Sequence, residues 1–222
     1  METLIQISDT HLSPTYGFFC ANFLRAVAEI NALAPDLVVN TGDVALSGPD
    51  HPDDVPFAAW VHRRIAAPKR YIPGNHDVGE EPGGEILKQP TNEGLLTHYR
   101  NNLGTDYWSH EIEDWTLIGL NTQILGTGED AEAEQADWLS DVLNATRERS
   151  IGIFIHKPLL IDRADEVPEQ SWTVSGDTRD ALLGQFKEAE VKFVASGHMH
   201  QYKEFELDGI RMIWAPSTAY LT

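Results

Sequence analysis

Apolar positions along the chain follow two alternating rhythms. The short unbroken runs in TLIQIS, DLVVNTGD and KRYIPGNHD have the length of buried strands, while FLRAVAEINALA and VPFAAWVHRRIAA repeat apolar residues at helical spacing. Pro35 closes the first of these helices. Strand, helix, strand over the first third of the chain predicts successive βα units, with parallel strands joined by right-handed crossovers. The rhythm then breaks. Residues 78–92 are dense in Gly and Pro and read as loop, a short helix follows over 93–102, and DYWSHEIEDWTLIGLN alternates as two antiparallel strands turning near Glu113 and Asp114. Beyond it, AEAEQADWLSDVLNATRE is an amphipathic helix, SIGIFIHKP a strand, DTRDALLGQFKEAE a helix, EVKFVASG a strand, and YKEFELDGIRMIWAPS a hairpin around Asp208 and Gly209. The expected fold is α/β: two packed mixed β-sheets flanked by helices, in a single domain over residues 1–222.

Composition agrees with one sizeable core. The chain has 222 residues, 41% hydrophobic and 23% charged, which is neither disordered nor membrane-like. METLIQISDTHLS lacks the basic and apolar regions of a signal peptide, and no stretch approaches the roughly 18 apolar residues of a membrane span, so a cytoplasmic location is expected. The single cysteine, Cys20, excludes an intrachain disulfide and a thiolate metal cluster, and reads as a small half-buried side chain near a helix start. With 35 acidic against 16 basic residues the formal charge is −19, which repels nucleic-acid polymers and anionic membranes unless something local reverses the field.

The chemistry gathers where strands end. Five segments share one design, an apolar run followed by Asp, His or Asn, in four of them beside a glycine or a second such residue: ISDTH (Asp9, His11), NTGDV (Gly42, Asp43), PGNHD (Gly74, Asn75, His76, Asp77), FIHKP (His156) and SGHMH (Gly197, His198, His200). Each alone is ordinary turn chemistry. Together they point to one crevice, because ligands of α/β sheets bind outside the carboxyl ends of the strands. Imidazole, carboxylate and amide donors without sulfur suit divalent transition metals. Seven candidate ligands exceed the needs of one ion and suit two ions sharing a bridge, for which Asp43 is the best candidate. Gly42, Gly74 and Gly197 let the backbone turn sharply beside an ion or phosphate. His51, His62, His98 and His110 fall in loops or polar faces and receive no role.

The order D-x-H, GD, GNHD, H, GHxH, spread from Asp9 to His200, resembles the signature of the calcineurin-like metallophosphoesterase superfamily. The resemblance implies a four-layer αββα sandwich around a dinuclear metal centre. It assigns Asp9, His11 and His200 to one ion, Asn75, His156 and His198 to the other, and Asp43 to both, with Met199 packing away from the ions. It gives His76 a catalytic role, hydrogen-bonding a phosphoryl oxygen or protonating the leaving alkoxide. ISDTHLS and PGNHDVG look most similar to bacterial class III cyclic-nucleotide phosphodiesterases and related glycerophosphodiesterases. In the serine/threonine protein phosphatases of the superfamily the second motif continues as GDxxDRG; here GDVALSG places Leu46 and Ser47 at those positions, which argues against a protein phosphatase and leaves His76 without an identified polar partner. Relatives often continue past the strand reading MIWAPSTAY, so a carboxyl-terminal segment beyond Thr222 stays an open expectation.

The function expected on these grounds is two-metal hydrolysis of a phosphodiester, a cyclic nucleotide or similar small diester, with Mn or Fe favoured over Zn or Co. The cations also answer the −19, since they reverse the field where an anionic substrate docks. The alternatives are a broad phosphomonoesterase or glycerophosphodiesterase, and a non-catalytic scaffold, against which the retention of every ligand and of His76 counts. Tyr99, Trp108 and Trp172 are candidates for stacking on a nucleobase, with core or rim packing the competing role; Asp77 is either functional or a turn former; Lys157 is expected at the surface before Pro158. Oligomeric state cannot be read from the sequence.

Overall fold

The computed structural model describes residues 2–81, 89–146, 148–163, 165–168 and 171–220. Three parallel strands, β1 (Leu4–Ile7), β2 (Leu37–Asn40) and β3 (Lys69–Tyr71), form a small sheet in that order, with the register Leu4 to Leu37 and Val38 to Lys69. The crossovers are α1 (Cys20–Leu33) and α2 (Asp54–His62). Helix α1 stops at Ala34, whose left-handed φ of 47° closes it immediately before Pro35. After α3 (Asn75–Val78) and α4 (Glu93–Leu103), whose first turn is capped by Asn92 accepting from the Leu95 N–H, the chain enters a second sheet. Its strands are β4 (Trp108–Ile112), β5 (Trp115–Gly119), β6 (Ser150–Phe154), β7 (Phe193–Ser196), β8 (Lys203–Leu207) and β9 (Ile210–Trp214), in the spatial order β4-β5-β6-β7-β9-β8. This larger sheet is mixed: β4 with β5 and β8 with β9 are antiparallel, the interior pairs parallel. Helices α5 (Asp130–Ala145) and α6 (Gly176–Glu188) complete the chain.

Side-chain alternation along single strands builds four layers. On β2, Val38 packs outward against Phe23, Val27 and Val61 of α1 and α2, whereas Leu37 and Val39 point inward to Trp108, Leu117 and Phe154 of the second sheet. On β6, Ile151 and Ile153 meet Leu139, Leu143, Leu182 and Phe186 of α5 and α6. The result is helix, sheet, sheet, helix, as the sequence predicts; only the smaller sheet departs from the expectation of two mixed sheets, being wholly parallel among the described residues. Among the described residues no helix is long and apolar enough to cross a membrane.

Two sequence expectations fail here. Lys157 is not at the surface: it is 1% exposed and its ammonium lies 2.8 Å from the carboxylate of Glu81, itself 2% exposed. The pair ties the segment after α3 to the end of β6. Replacing Glu81 by leucine removes the carboxylate 2.8 Å from the buried Lys157 ammonium and is expected to cost about 3 to 5 kcal/mol of stability, most of it restored when Lys157 is also replaced by methionine. Urea unfolding of the single and double variants checks this; equal losses in both would refute a pair-specific role.

His62 likewise lies neither in a loop nor on a polar face, but fully buried at the end of α2. Its Nδ1–H donates to the Ala58 carbonyl (2.9 Å), and its Nε2 accepts from the Asn40 carboxamide (3.2 Å), whose Oδ1 in turn accepts the Gly42 N–H (3.0 Å). Burial lowers the His62 pKa from 6.5 to about 4. Above pH 6.5 the imidazole is neutral both folded and unfolded; between pH 6.5 and 4 only the unfolded chain takes up the proton, so stability falls with acidity by roughly 3 kcal/mol in all. The stability difference between the native chain and His62→Gln should shrink over that interval in urea titrations. A pH-independent difference would contradict it.

Candidate metal centre

All eight singled-out residues converge on one crevice at the carboxyl ends of β1, β2, β6 and β7 and the amino end of α3. Five of them hold backbone that L-residues seldom adopt: φ is 54° at Asp9, 44° at His11, 50° at Asp43, 66° at His198 and 54° at His200. Such clustering of left-handed residues marks sites where geometry outranks local comfort. The glycines serve different ends. Gly42 turns at φ 101°, while Gly74 and Gly197 make room: a Cβ would collide with Asp43 Oδ1 at the first and with Ser8 Oγ and Asp9 at the second.

Two groups of donors form. Asp9, His11, Asp43 and His200 can each offer an atom within 4.8 Å of the others, and so can Asp43, His156 and His198. In the first, His11 Nε2 lies 3.1 Å from His200 Nε2, and Asp9 Oδ1 lies 3.2 Å from the latter. In the second, His156 Nε2 lies 3.1 Å from Asn75 Oδ1 and 3.2 Å from His198 Nδ1. Asp43 belongs to both. Its Oδ1 lies 3.4 Å from His156 Nε2, its Oδ2 3.8 Å from His11 Nε2, and the His76 N–H donates to Oδ1 at 2.9 Å.

Backbone carbonyls set the tautomers. His156 donates Nδ1–H to Thr41 O (2.8 Å), which leaves Nε2 toward the group, and His198 donates Nε2–H to Ser171 O (2.8 Å), which leaves Nδ1. His76 donates Nδ1–H to Leu46 O at 2.5 Å. That carbonyl is the polar partner the sequence left unidentified, invisible there because Leu46 supplies it from its backbone.

The electrostatics hold Asp9, Asp43, His11 and His198 in their ligating forms and keep a proton on His156. Burial raises the Asp9 and Asp43 carboxyls, but the surrounding histidines outweigh it and keep both below the ordinary carboxylate range. Burial pushes His11 down to about 4 and, with the charge on His156, His198 to about 3, so both are neutral. His156 moves the other way, to about 9: burial opposes protonation, and the Asp43 charge and hydrogen bond overcome it. A cation bound in this group would take the place of that proton. Asp9 Oδ1, buried and 3.2 Å from His200 Nε2, has no hydrogen-bond partner among the described residues. An anionic, nitrogen- and oxygen-rich set with an orphaned buried carboxylate oxygen fits divalent cations.

Residues 3–202 match the family model described as calcineurin-like phosphoesterase. The chain belongs to the calcineurin-like phosphoesterase family. The buried Asp and His cluster lies within the matched residues and offers two groups of donors that could hold metal ions. The chain is 29% identical over 190 residues to the human serine/threonine-protein phosphatase CPPED1, an alignment covering 80% of this chain and 58% of that one. It is 28% identical over 231 residues to the 3',5'-cyclic adenosine monophosphate phosphodiesterase CpdA of Escherichia coli K12, covering 97% and 75%. The chain thus spans little more than half the length of the first of these relatives. A dimetal phosphatase from Danio rerio shares the fold, with a TM-score of 0.70 at 15% identity over 98% of this chain and 88% of that one.

The remaining sequence-predicted residues separate clearly. Asp77 is a buried brace: its carboxylate accepts the N–H groups of Val44 (3.2 Å), Ala45 (2.8 Å) and Gly74 (2.9 Å), fastening the GD loop to the GNHD loop. Burial, followed by the charge on Asp43, raises its pKa to about 7. Tyr99 and Trp108 are core residues. Trp172 alone of the three aromatics reaches the cleft, its ring centroid 6.0 Å from that of His198. Met199 does not pack away but lines the cleft. Residues 82–88 of the 78–92 loop lie outside the described residues.

Proposed function

We propose that the phosphoesterase is a two-metal phosphodiesterase acting on cyclic nucleotides or similar small phosphodiesters. The observation that carries the diester reading is the cleft itself, about 610 Å³, lined by Asp43, Asn75, His76, Ile161, Trp172, His198, Met199, His200, Gln201 and Tyr220, with no Lys or Arg among the described lining residues. A phosphomonoester is a dianion with exposed terminal oxygens, which sites of that specificity grip with guanidinium forks. A diester monoanion needs no such partner, and both its substituents find apolar walls.

Asp9, His11 and His200 would hold one ion, Asn75, His156 and His198 the other, with Asp43 facing both. Two such ions, Mn or Fe favoured, supply Lewis acidity toward the phosphoryl oxygens and a water acidic enough to attack phosphorus near neutral pH. The protein's own part is positional. Thr41 O and Ser171 O fix the rings of His156 and His198. Leu46 O fixes His76 with Nε2 free to hydrogen-bond a phosphoryl oxygen or to hand a proton to the departing alkoxide. Asp77 keeps the loops bearing Asp43 and His76 in register. Ile161, Trp172 and Met199 give the substrate a dry wall on which a base can lie. A hydrolysis panel with added Mn²⁺, comparing cAMP, cGMP, 2',3'-cyclic nucleotides, glycerophosphodiesters and a phosphomonoester, should give the highest kcat/KM on a diester. A phosphomonoester surpassing every diester would overturn the reading, and failure on all would favour a non-catalytic scaffold.

A further inference from the structure

An arc of aromatic rings leaves the metal site on the side of His11 and His200. Tyr220, which lines the cleft, has its ring centroid 4.6 Å from that of His200 and 5.2 Å from Phe19; Phe19 lies 6.3 Å from Phe18, and Phe18 6.3 Å from Tyr16, the last two rings within 17° of parallel. The arc ends against His51, 5.8 Å from Tyr16. His11 locates it relative to the chemistry, its ring 6.3 Å from Phe19 and 4.6 Å from His76. Phe18 is 75% exposed, Tyr220 45% and Tyr16 41%. Three adjoining aromatic side chains held this far into water, continuous with a reactive cleft, form a surface shaped for an apolar group. A formal charge of −19 makes nucleic acid or an anionic lipid surface an unsuitable occupant.

We propose that Tyr16, Phe18, Phe19 and Tyr220 form a leaving-group subsite, which seats an aromatic group carried by the alcohol that departs from an acyclic phosphodiester. This rests on the phosphodiesterase reading and narrows it. Ile161, Trp172 and Met199, which line the same cleft, take the substituent that stays on phosphorus. In the reaction water supplies the oxygen of the new bond to phosphorus, the bond from phosphorus to the leaving oxygen breaks with its electron pair, and a proton reaches that alkoxide through His76. The His11 ring neighbours both Phe19 and His76, so an aromatic group a few bonds along an alcohol that takes its proton from His76 reaches Phe19 and Phe18.

The test uses the full chain loaded with Mn²⁺ and two diesters whose leaving alcohols differ little in acidity, methyl 3-phenylpropyl phosphate and methyl propyl phosphate, with release of the longer alcohol measured. The expected kcat/KM ratio favours the phenylpropyl ester by about tenfold or more, and Phe18→Ala and Tyr16→Ala each bring that ratio toward one. Equal kcat/KM for the two esters overturns the subsite and spares the phosphodiesterase reading. Release of alcohol from neither overturns that reading and the subsite with it. An unchanged ratio in both variants overturns the subsite, and if the same variants sediment as monomers where the native chain is a dimer, the ledge is a contact between copies. Phe18 is exposed enough that loss of folding does not confound the alanine variant, and circular dichroism verifies this.

Discussion

Asp43→Ala is expected to lose both ions and to reduce turnover to background. The reason is geometric: its two oxygens face different donor groups, 3.4 Å from His156 Nε2 and 3.8 Å from His11 Nε2. Without it the group of Asn75, His156 and His198 contains no anion, and the group of Asp9, His11 and His200 keeps one carboxylate. Burying a cation among neutral ligands is costly, and each group depends on this charge for compensation. The backbone must tolerate the change for the result to be informative, since Asp43 also accepts the His76 N–H. Asp43→Asn supplies the control: it keeps the volume and an acceptor oxygen but not the charge, and is expected to bind at most one ion. Calorimetric titration with Mn²⁺ distinguishes the cases, and full two-ion binding by the alanine variant would rule out the bridging role.

His76→Asn has the second-largest expected effect and a different signature. His76 sits between the two loops without being needed to complete either donor group, so metal content should stay near that of the native chain. Turnover should fall by about 10² to 10⁴ on alkyl diesters, whose leaving groups need a proton, and far less on p-nitrophenyl diesters, whose leaving phenolate does not. A uniform loss on both substrates would reduce His76 to binding the phosphoryl group. Normal turnover would remove it from the reaction altogether.

The layered fold and the meeting of the eight residues were legible in the sequence for a common reason. Asp, His and Asn recur at five strand ends, each ordinary alone but convergent together, and the neighbouring glycines mark close approach, as Gly74 and Gly197 show. What escaped depends on partners far along the chain. Lys157 reads as a surface residue until Glu81 is placed beside it, and His62 as a polar helix residue until Asn40 takes its Nε2. Leu46 acts through a carbonyl, which residue type does not reveal. The left-handed φ of five of the seven candidate ligands has no signature in residue type beyond the tolerance of Asp and His for it. The arc from Tyr16 to Tyr220 joins opposite ends of the chain, with no periodicity to signal it.

Asn40 and His62 also show how the centre is supported from behind. The carboxamide has one acceptor and one donor face; because His62 takes the donor, the acceptor is left for Gly42 N–H, directly before Asp43. The loop that carries the shared carboxylate is therefore held by a helix on the far side of the small sheet.

The account stands on two cations held per chain, with Asp43 between them. Elemental analysis of the purified, Mn²⁺-reconstituted protein after removal of free metal measures this directly. Two equivalents per chain is the predicted result; one equivalent or none, in protein that is folded by circular dichroism, would contradict it.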